Sequence, residues 1–374
     1  MAVTVGTRDR GDCEVVYDLE GTPGVFIQGP MSNRFESAVR QVAEEVLALC
    51  GAGGRLDIWF NGAFDWVVRA RVRAALVSAG AVDDFPAGGP GKHCRPQKKL
   101  LRSLLYVPGD RPHMIANSGR YRADAVVLDL EDAVDLAHKL EARYLVAEAV
   151  ASAEFGGSEV WVRINSLDKG GREDLKAVLP WGVNGVRIPK LERPEQVMEV
   201  VEVIQGCHCP SVALSPVIES PLGILNAYAI ASASPLIRGL SWGGEDLRLA
   251  IGCSRGANLD HFRWEIILAC RAAGVAAWDT VFAVVDDADS FRSDCIRSAE
   301  MGFNGRSVIH PAQIGIVHEA YKPRPEQVEW ARQVVESVGQ AGSGAGVGVV
   351  SGQMVDRPII LQAMQILEAA GETS

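Results

Sequence analysis

Residues 125–134 read AVVLDLEDAV. An apolar run reaches Asp129, and Glu131 and Asp132 follow with only Leu130 between them. Such a run, closed by polar residues, reads as a buried strand. Its end gathers three carboxylates that should repel one another. The acids could be solvated at a strand end or cap the next helix; alternatively they surround a cation. The rest of the chain decides between these.

Outward from that strand, apolar strand candidates begin near Leu104, Ala125, Val160, Val186, Val212, Arg238, Trp278 and Arg306, which makes eight. Successive starts lie about 20 to 40 residues apart, the length of a strand–helix–strand crossover. Segments between them, such as KLEARYLVAEAVASA (139–153) and PEQVMEVVEVIQ (194–205), read as helices. Eight such units predict an α/β fold, a (β/α)8 TIM barrel, which typically takes about 250 residues. A doubly wound open sheet is the alternative, but no GxGxxG follows any strand.

Two stretches flank this pattern. PAGGPGKHCRPQKK (86–99) is a Pro/Gly/basic linker, and GQAGSGAGVG (339–348) is a tether of small residues. Residues 1–85 precede the first. GDCEVVYDL and GVFIQG read there as strands joined by the turn EGTPG, and RLDIWF as a third strand. FESAVRQVAEEVLALC and FDWVVRARVRAALVSA read as amphipathic helices. The expected organisation is a small α+β domain (1–85), a linker (86–99), a barrel (100–338) and a C-terminal segment (339–374).

The totals exclude several classes. The 374 residues are 48% hydrophobic and 22% charged, with net charge −10, the composition of a globular protein and a poor partner for nucleic acid. KHCRPQKK (92–99) is short, lacks aromatics and reads as a solvated linker. No run approaches the roughly 20 apolar residues of a membrane span, and the N-terminus has no apolar signal core. Eight cysteines without a repeating pattern suggest reduced thiols and a cytoplasmic setting. Cys207-His208-Cys209 has CxC spacing and no second pair, so it reads as a loop rather than a zinc site.

In a barrel of this kind, chemistry sits at the carboxyl ends of the strands. The second strand ends in Asp129, Glu131 and Asp132, the third in Arg163 and Asn165, and the fourth in Arg187 and Lys190. The fifth ends in Glu219 and the sixth in Glu245 and Asp246. One glutamate after an apolar run is more often a cap or a surface residue. Here, however, Glu219 and Asp246 lie 27 positions apart, one repeat, on neighbouring strand ends. Two carboxylates plus waters suit Mg2+, and Glu131 and Asp132 would orient those waters. Arg163 offers a fork for a substrate carboxylate, and Gly243 and Gly244 admit close backbone approach.

Eight motifs now stand in order: RSLLYVPGDRPHMI, VVLDLEDAV, VRIN, RIPK, VIESPLGI, GEDL through IGCSRG, GFNGRSVIHPAQI and SGQMVDRPII. Together they resemble the citrate lyase β-subunit family, which includes citramalyl-CoA and malyl-CoA lyases. The resemblance implies a Mg2+-dependent carbon–carbon lyase that splits, or forms, a β-hydroxyacyl thioester from an α-keto acid and an acyl thioester. Glyoxylate, pyruvate and oxaloacetate all offer the required α-keto carboxylate. It further implies that Glu219 and Asp246 hold the metal, with Glu131 and Asp132 around its waters. Arg163, Glu131, Pro189, Gly243 and Gly244 would bind substrate. Asp356 would be the acid/base, delivered from a neighbouring subunit of a homotrimer or hexamer. By itself, Asp356 reads as a residue opening a helix before Pro358. His310, in VIHP, reads as packing or CoA-side structure.

FIQGPMSNRFESAVRQVAEEVL and NGAFDWVVRARVRAAL resemble the acyl carrier (γ) subunit of citrate lyase. That carrier's attachment segment runs roughly G-T-x-E-S-x-D; here it reads Gly6-Thr7-Arg8-Asp9-Arg10-Gly11-Asp12. Arg10 replaces the serine, and no serine lies between residues 1 and 31. The domain is therefore expected to carry no prosthetic arm, leaving a free acyl-CoA or another carrier to bring the substrate. Competing readings are a thioesterase or CoA-independent aldolase on the same site, and a non-catalytic scaffold.

Overall fold

The structure, a computed structural model, describes residues 2–83, 97–207, 209, 211–340, 348–350 and 353–372. Most of the 86–99 linker, His208 and most of the small-residue tether lie outside them. Contacts divide the chain into two compact units, one ending at Val317 and one beginning at His318.

The first unit opens with β1 (Val3–Gly6), β2 (Cys13–Asp18), β3 (Gly24–Gln28), α1 (Ser32–Cys50), β4 (Arg55–Phe60) and α2 (Asp65–Ser78). The sheet order is β1-β2-β4-β3. The strands on either side of EGTPG therefore do not pair with each other. β4 lies between them, antiparallel to β2 and parallel to β3. Alternate residues on β2 and β4 are buried, giving the sheet one apolar face (Val15, Tyr17, Leu56, Ile58). α1 buries Val39, Val42, Ala43 and Val46, a stripe at helical spacing. α2 differs from the expected amphipathic helix. It is buried on nearly every side, with Arg71 and Arg73 among its buried residues, because it packs on the sheet and on a barrel helix at once.

The barrel closes in the order β10-β11-β12-β5-β6-β7-β8-β9. Its strands are β5 (Ser103–Pro108), β6 (Ala125–Asp129), β7 (Glu159–Arg163), β8 (Gly185–Ile188), β9 (Ala213–Ile218), β10 (Gly239–Trp242), β11 (Ala276–Asp279) and β12 (Gly305–Val308). They match the eight expected from sequence, and neighbouring barrel strands pair in parallel. Between and after them run α3 (Pro112–Ser118), α4 (Lys139–Ser152), α5 (Gly171–Val178), α6 (Pro194–Gly206), α7 (Pro221–Leu225), α8 (Ala227–Ala231), α9 (Gly244–Ile251), α10 (Asp260–Ala273), α11 (Ala288–Met301) and α12 (Ala312–Ala320). The lower interior is apolar: Leu104, Ala125, Val127, Trp161, Ala213 and Trp278 pack together, the two tryptophans edge to face at 5.9 Å. Two residues further along the same strands the interior turns polar. Side chains alternate across a strand, so the parity that places Leu104, Val127 and Trp161 inside also places Tyr106, Asp129 and Arg163 inside, one layer higher.

The second unit contains α13 (Pro325–Gln340), the antiparallel pair β13 (Gly348–Val350) and β14 (Gln353–Val355), and α14 (Arg357–Ala369). Ala331, Val334, Val355, Ala363 and Leu367 form its core. No helix among the described residues is long and apolar enough to cross a membrane.

Candidate active site at the carboxyl ends of the barrel strands

Asp129 and Arg163 are directly paired in the parallel register of β6 and β7. The guanidinium grips the carboxylate with both prongs, Nε donating to Oδ1 at 2.7 Å and Nη2 to Oδ2 at 2.6 Å. Asp129 also accepts the backbone N–H groups of Glu131 (3.0 Å) and Ala133 (3.2 Å), which curls the acidic loop over the strand end. Glu131 lies back against two cations. Lys190 Nζ donates to its Oε1 at 2.6 Å, and Arg163 Nη1 stands 2.9 Å from its Oε2, close for an ion pair but not aimed for a hydrogen bond. Asp132 is exposed, 3.6 Å from Lys190.

This answers the question raised by AVVLDLEDAV: the acids sit among the protein's own cations, Asp129 and Glu131 closely and Asp132 at longer ion-pair distance. The match is incomplete, however. Burial raises the Glu131 carboxyl above its usual range despite Arg163 and Lys190. Arg163 itself is held charged. Burial opposes its charge, but the hydrogen bonds it donates to Asp129 and the negative charges of Tyr106, Asp129 and Glu131 together outweigh burial and raise its pKa.

Across the barrel, Glu219 follows β9 and is buried. Its Oε1 accepts the backbone N–H of Lys190 at 2.8 Å. Lys190 adopts φ 56°, the left-handed region that a non-glycine residue enters at some cost, so that its amide meets Glu219 while its ammonium meets Glu131. Among the described residues no cation forms an ion pair with Glu219. Burial first, then the negative charges of Glu131 and Asp246, push its carboxyl up to about 7. A Cβ on Gly243 would stand 2.6 Å from Glu219 Oε2, so the backbone approach there requires glycine. Asp246 projects, exposed, from the first turn of α9.

Two concavities meet at these acids. An inner cavity of about 370 Å³ is lined by Tyr106, Asp129, Arg163, Ser241, Gly243, Gly244 and Ser307, among others. An outer one of about 650 Å³ is lined by Lys169, Arg172, Pro189 and Lys190, among others. Glu219 and Asp246 line both. Beneath the inner cavity Arg187 is fully buried. Among the described residues it pairs with no carboxylate. Instead it donates to the hydroxyls of Tyr106 (2.9 Å), Ser307 (3.0 Å) and Ser241, all of which line the cavity. Each hydroxyl spends a lone pair on Arg187, which leaves the protons of Tyr106 and Ser307 for a ligand, while the Ser241 hydroxyl also lies 3.4 Å from that of Ser215.

Residues 102–311 match the family described as HpcH/HpaI aldolase/citrate lyase. The chain belongs to that family. Its relatives include the citrate lyase β subunit of Leuconostoc mesenteroides subsp. cremoris, 37% identical over 73% of this chain and 94% of that protein. They also include a (3S)-malyl-CoA thioesterase of Cereibacter sphaeroides, 34% identical over 73% of this chain and 96% of that one. The CitE protein of Mycobacterium tuberculosis, solved with magnesium, acetoacetate and coenzyme A, superposes with TM-score 0.62 at 32% identity over 73% of this chain and 99% of that one. Residues 1–79 match a second family, described as the malonate decarboxylase delta subunit.

The HpcH/HpaI barrel thus gathers six of the sequence-predicted residues (Arg163, Pro189, Glu219, Gly243, Gly244 and Asp246) on two adjoining cavities, with Glu131 and Asp132 beside them. Asp356 belongs to the second compact unit, where its Oδ1 accepts the N–H of Ile359 at 3.3 Å and caps α14. Glu245 is exposed and turned toward Arg248. His310 does not pack in the core. It is exposed, and its Nδ1 accepts the N–H of Ala312 at the start of α12. Sequence reasoning missed Tyr106, Ser241 and Ser307. Their signal was strand parity, since each lies an even number of residues from another inward position on its strand.

Proposed function

We propose that this chain is a Mg2+-dependent carbon–carbon lyase acting on a β-hydroxyacyl-CoA thioester of the malyl, citramalyl or citryl type. The observation that carries this reading is Glu219: a buried carboxylate with no ion-pair partner among the described residues, beside Asp246 where two cavities meet. A buried carboxylate in such a place is stabilised by a bound cation, and an oxygen-only donor pair suits a hard one. Glu219 and Asp246 would hold the metal, and Glu131 and Asp132 would accept hydrogen bonds from its waters. When bound, Mg2+ supplies Lewis acidity toward the oxygens of an α-keto carboxylate.

The chain's own residues do the rest. Arg163, fixed by Asp129, keeps N–H groups for substrate oxygens and supplies positive charge where negative charge builds. The hydroxyls of Tyr106 and Ser307, aligned by Arg187, donate into the same cavity. The cationic outer concavity (Lys169, Arg172, Lys190) suits the anionic arm of a thioester. Asp356 is proposed as the proton carrier at the α-carbon, brought by a second copy of the chain in a homotrimer or hexamer. Exposed Leu225, Leu249, Trp264 and Leu268 on the adjoining helices α7, α9 and α10 favour such association. The carrier-like domain, with Arg10 exposed where the carrier has serine, is read as unable to hold a prosthetic arm, so the substrate is a free thioester. The seven free cysteines among the described residues fit a reducing, cytoplasmic setting.

Purified protein incubated with Mg2+ and malyl-, citramalyl- and citryl-CoA tests the reading. A keto acid with acyl-CoA is the expected product pair. Free CoA with the intact hydroxy acid would replace the lyase by a thioesterase, the activity named for the Cereibacter sphaeroides relative.

A further inference from the structure

The citrate lyase β relative is spanned almost end to end by 73% of this chain, so the N-terminal domain is extra to it. How that domain meets the barrel is specific. α2 carries Arg69, Arg71 and Arg73, and α4 carries Glu141 and Glu148, seven residues apart and therefore on one stripe of the helix. Arg73 Nη1 stands 2.7 Å from Glu148 Oε1, and Arg69 Nε stands 3.3 Å from its Oε2. Arg71, only 2% exposed, holds Asp12 with two prongs and Glu141 Oε2 with a third N–H at 2.8 Å. The same Glu141 oxygen accepts the backbone N–H of Gly6 at 2.7 Å. Gly6 and Asp12 bound the carrier-like segment discussed above, so that segment is fastened to the barrel rather than left free.

Glu141 lies in the first turn of α4. Two residues earlier, the ammonium of Lys139 donates to the backbone carbonyls of Leu130 (2.7 Å) and Glu131 (2.5 Å). These are the carbonyls of the acidic loop whose amides at Glu131 and Ala133 wrap Asp129. One helical turn is thus gripped by the N-terminal domain on one side and grips the acidic loop on the other.

We propose that the N-terminal domain acts as a built-in brace for the acidic loop. By fixing Glu141 it sets the first turn of α4, and through Lys139 that turn sets the Leu130–Glu131 backbone and the direction of the Glu131 and Asp132 carboxylates. Arg71, Glu141 and Lys139 are positioning residues that touch no substrate. The consequence for metal binding rests on the lyase reading above, whereas the brace itself does not.

Hydrogen exchange on the full-length, metal-free protein separates the two. Glu141→Gln and Lys139→Met are expected to speed exchange of the Glu131 and Ala133 amides about tenfold by freeing local opening. Glu148→Gln weakens the same interface two turns away and leaves those amides within about twofold of the parent. Lys139→Met lies outside the interface, so it still tests the brace if Glu141→Gln fails to fold, and Lys139→Arg is expected to restore slow exchange. Mg2+ titration by calorimetry should show about tenfold weaker binding in Glu141→Gln and Lys139→Met, the size of effect of groups that orient ligands. If Glu141→Gln and Lys139→Met leave loop exchange as Glu148→Gln does, the brace is overturned. If exchange changes as expected but the parent takes up no Mg2+, the brace stands and the metal reading falls.

Discussion

Glu219 is kept in the folded barrel where its charge is least welcome, and this has a measurable sign. Its carboxyl sits at about 7 in the fold against an ordinary 4.5, so the folded state binds the proton more tightly than the unfolded chain. That preference stabilises the metal-free protein fully below the ordinary value. It is lost as pH rises to about 7, a loss of about 3 kcal/mol. A divalent ion held by Glu219, as proposed, would compete with the same proton. The stabilisation that Mg2+ gives against urea should therefore grow as pH rises from about 4.5 to 7 and then level off. Glu219→Gln should abolish that growth; a pH-independent Mg2+ effect would remove Glu219 from the metal site. At this scale much was legible. Arg163, Glu219 and Asp246 are charges at strand ends, and a barrel places them without further information. Asp129 was harder, because its partner is set by which strands are neighbours and in what register, and only closure of the barrel supplies that.

At the scale of elements, helices and strands were readable where burial follows one period. α1 and the barrel strands have one such rule each. α2 has none, because both its sides are covered, and the partners of its arginines on α4 lie about seventy positions away in sequence. β1 is a four-residue strand without a turn signal, and it was not read at all. EGTPG was recognisable as a turn, but nothing local says that β4 will insert between the strands it joins. The buried charges of α2 and α4 make a direct prediction. Arg73→Met should leave Glu148, 2% exposed, with Arg69 as its remaining ion-pair partner among the described residues, and cost about 3 kcal/mol in urea unfolding. Arg73→Met combined with Glu148→Met should recover most of that loss, because it removes the stranded charge along with its partner. A double variant no more stable than Arg73→Met would mean that the pair does not govern the interface.

For the molecule as a whole, the repeat of strand and helix made the barrel legible, whereas two connections were not. Docking of the first domain depends on charges scattered over α2 and α4. The proposed place of Asp356 would depend on chain copies, which one sequence does not contain. Asp356 belongs to a compact unit with its own apolar core, and a helix cap alone would account for its carboxylate. Catalysis in trans would account for more, and it predicts something a cap does not. Asp356→Asn and Glu219→Gln should each be inactive when assembled alone. Subunits of the two, unfolded together and reassembled in equal amounts, should regain about a quarter of the parent activity, since half of the intact metal sites are completed by an intact Asp356 from the neighbouring copy. Activity in trans also requires that the mixture form closed oligomers, which light scattering on the same sample measures. If the oligomers form and the mixture stays as inactive as its components, Asp356 acts within its own chain or only caps α14.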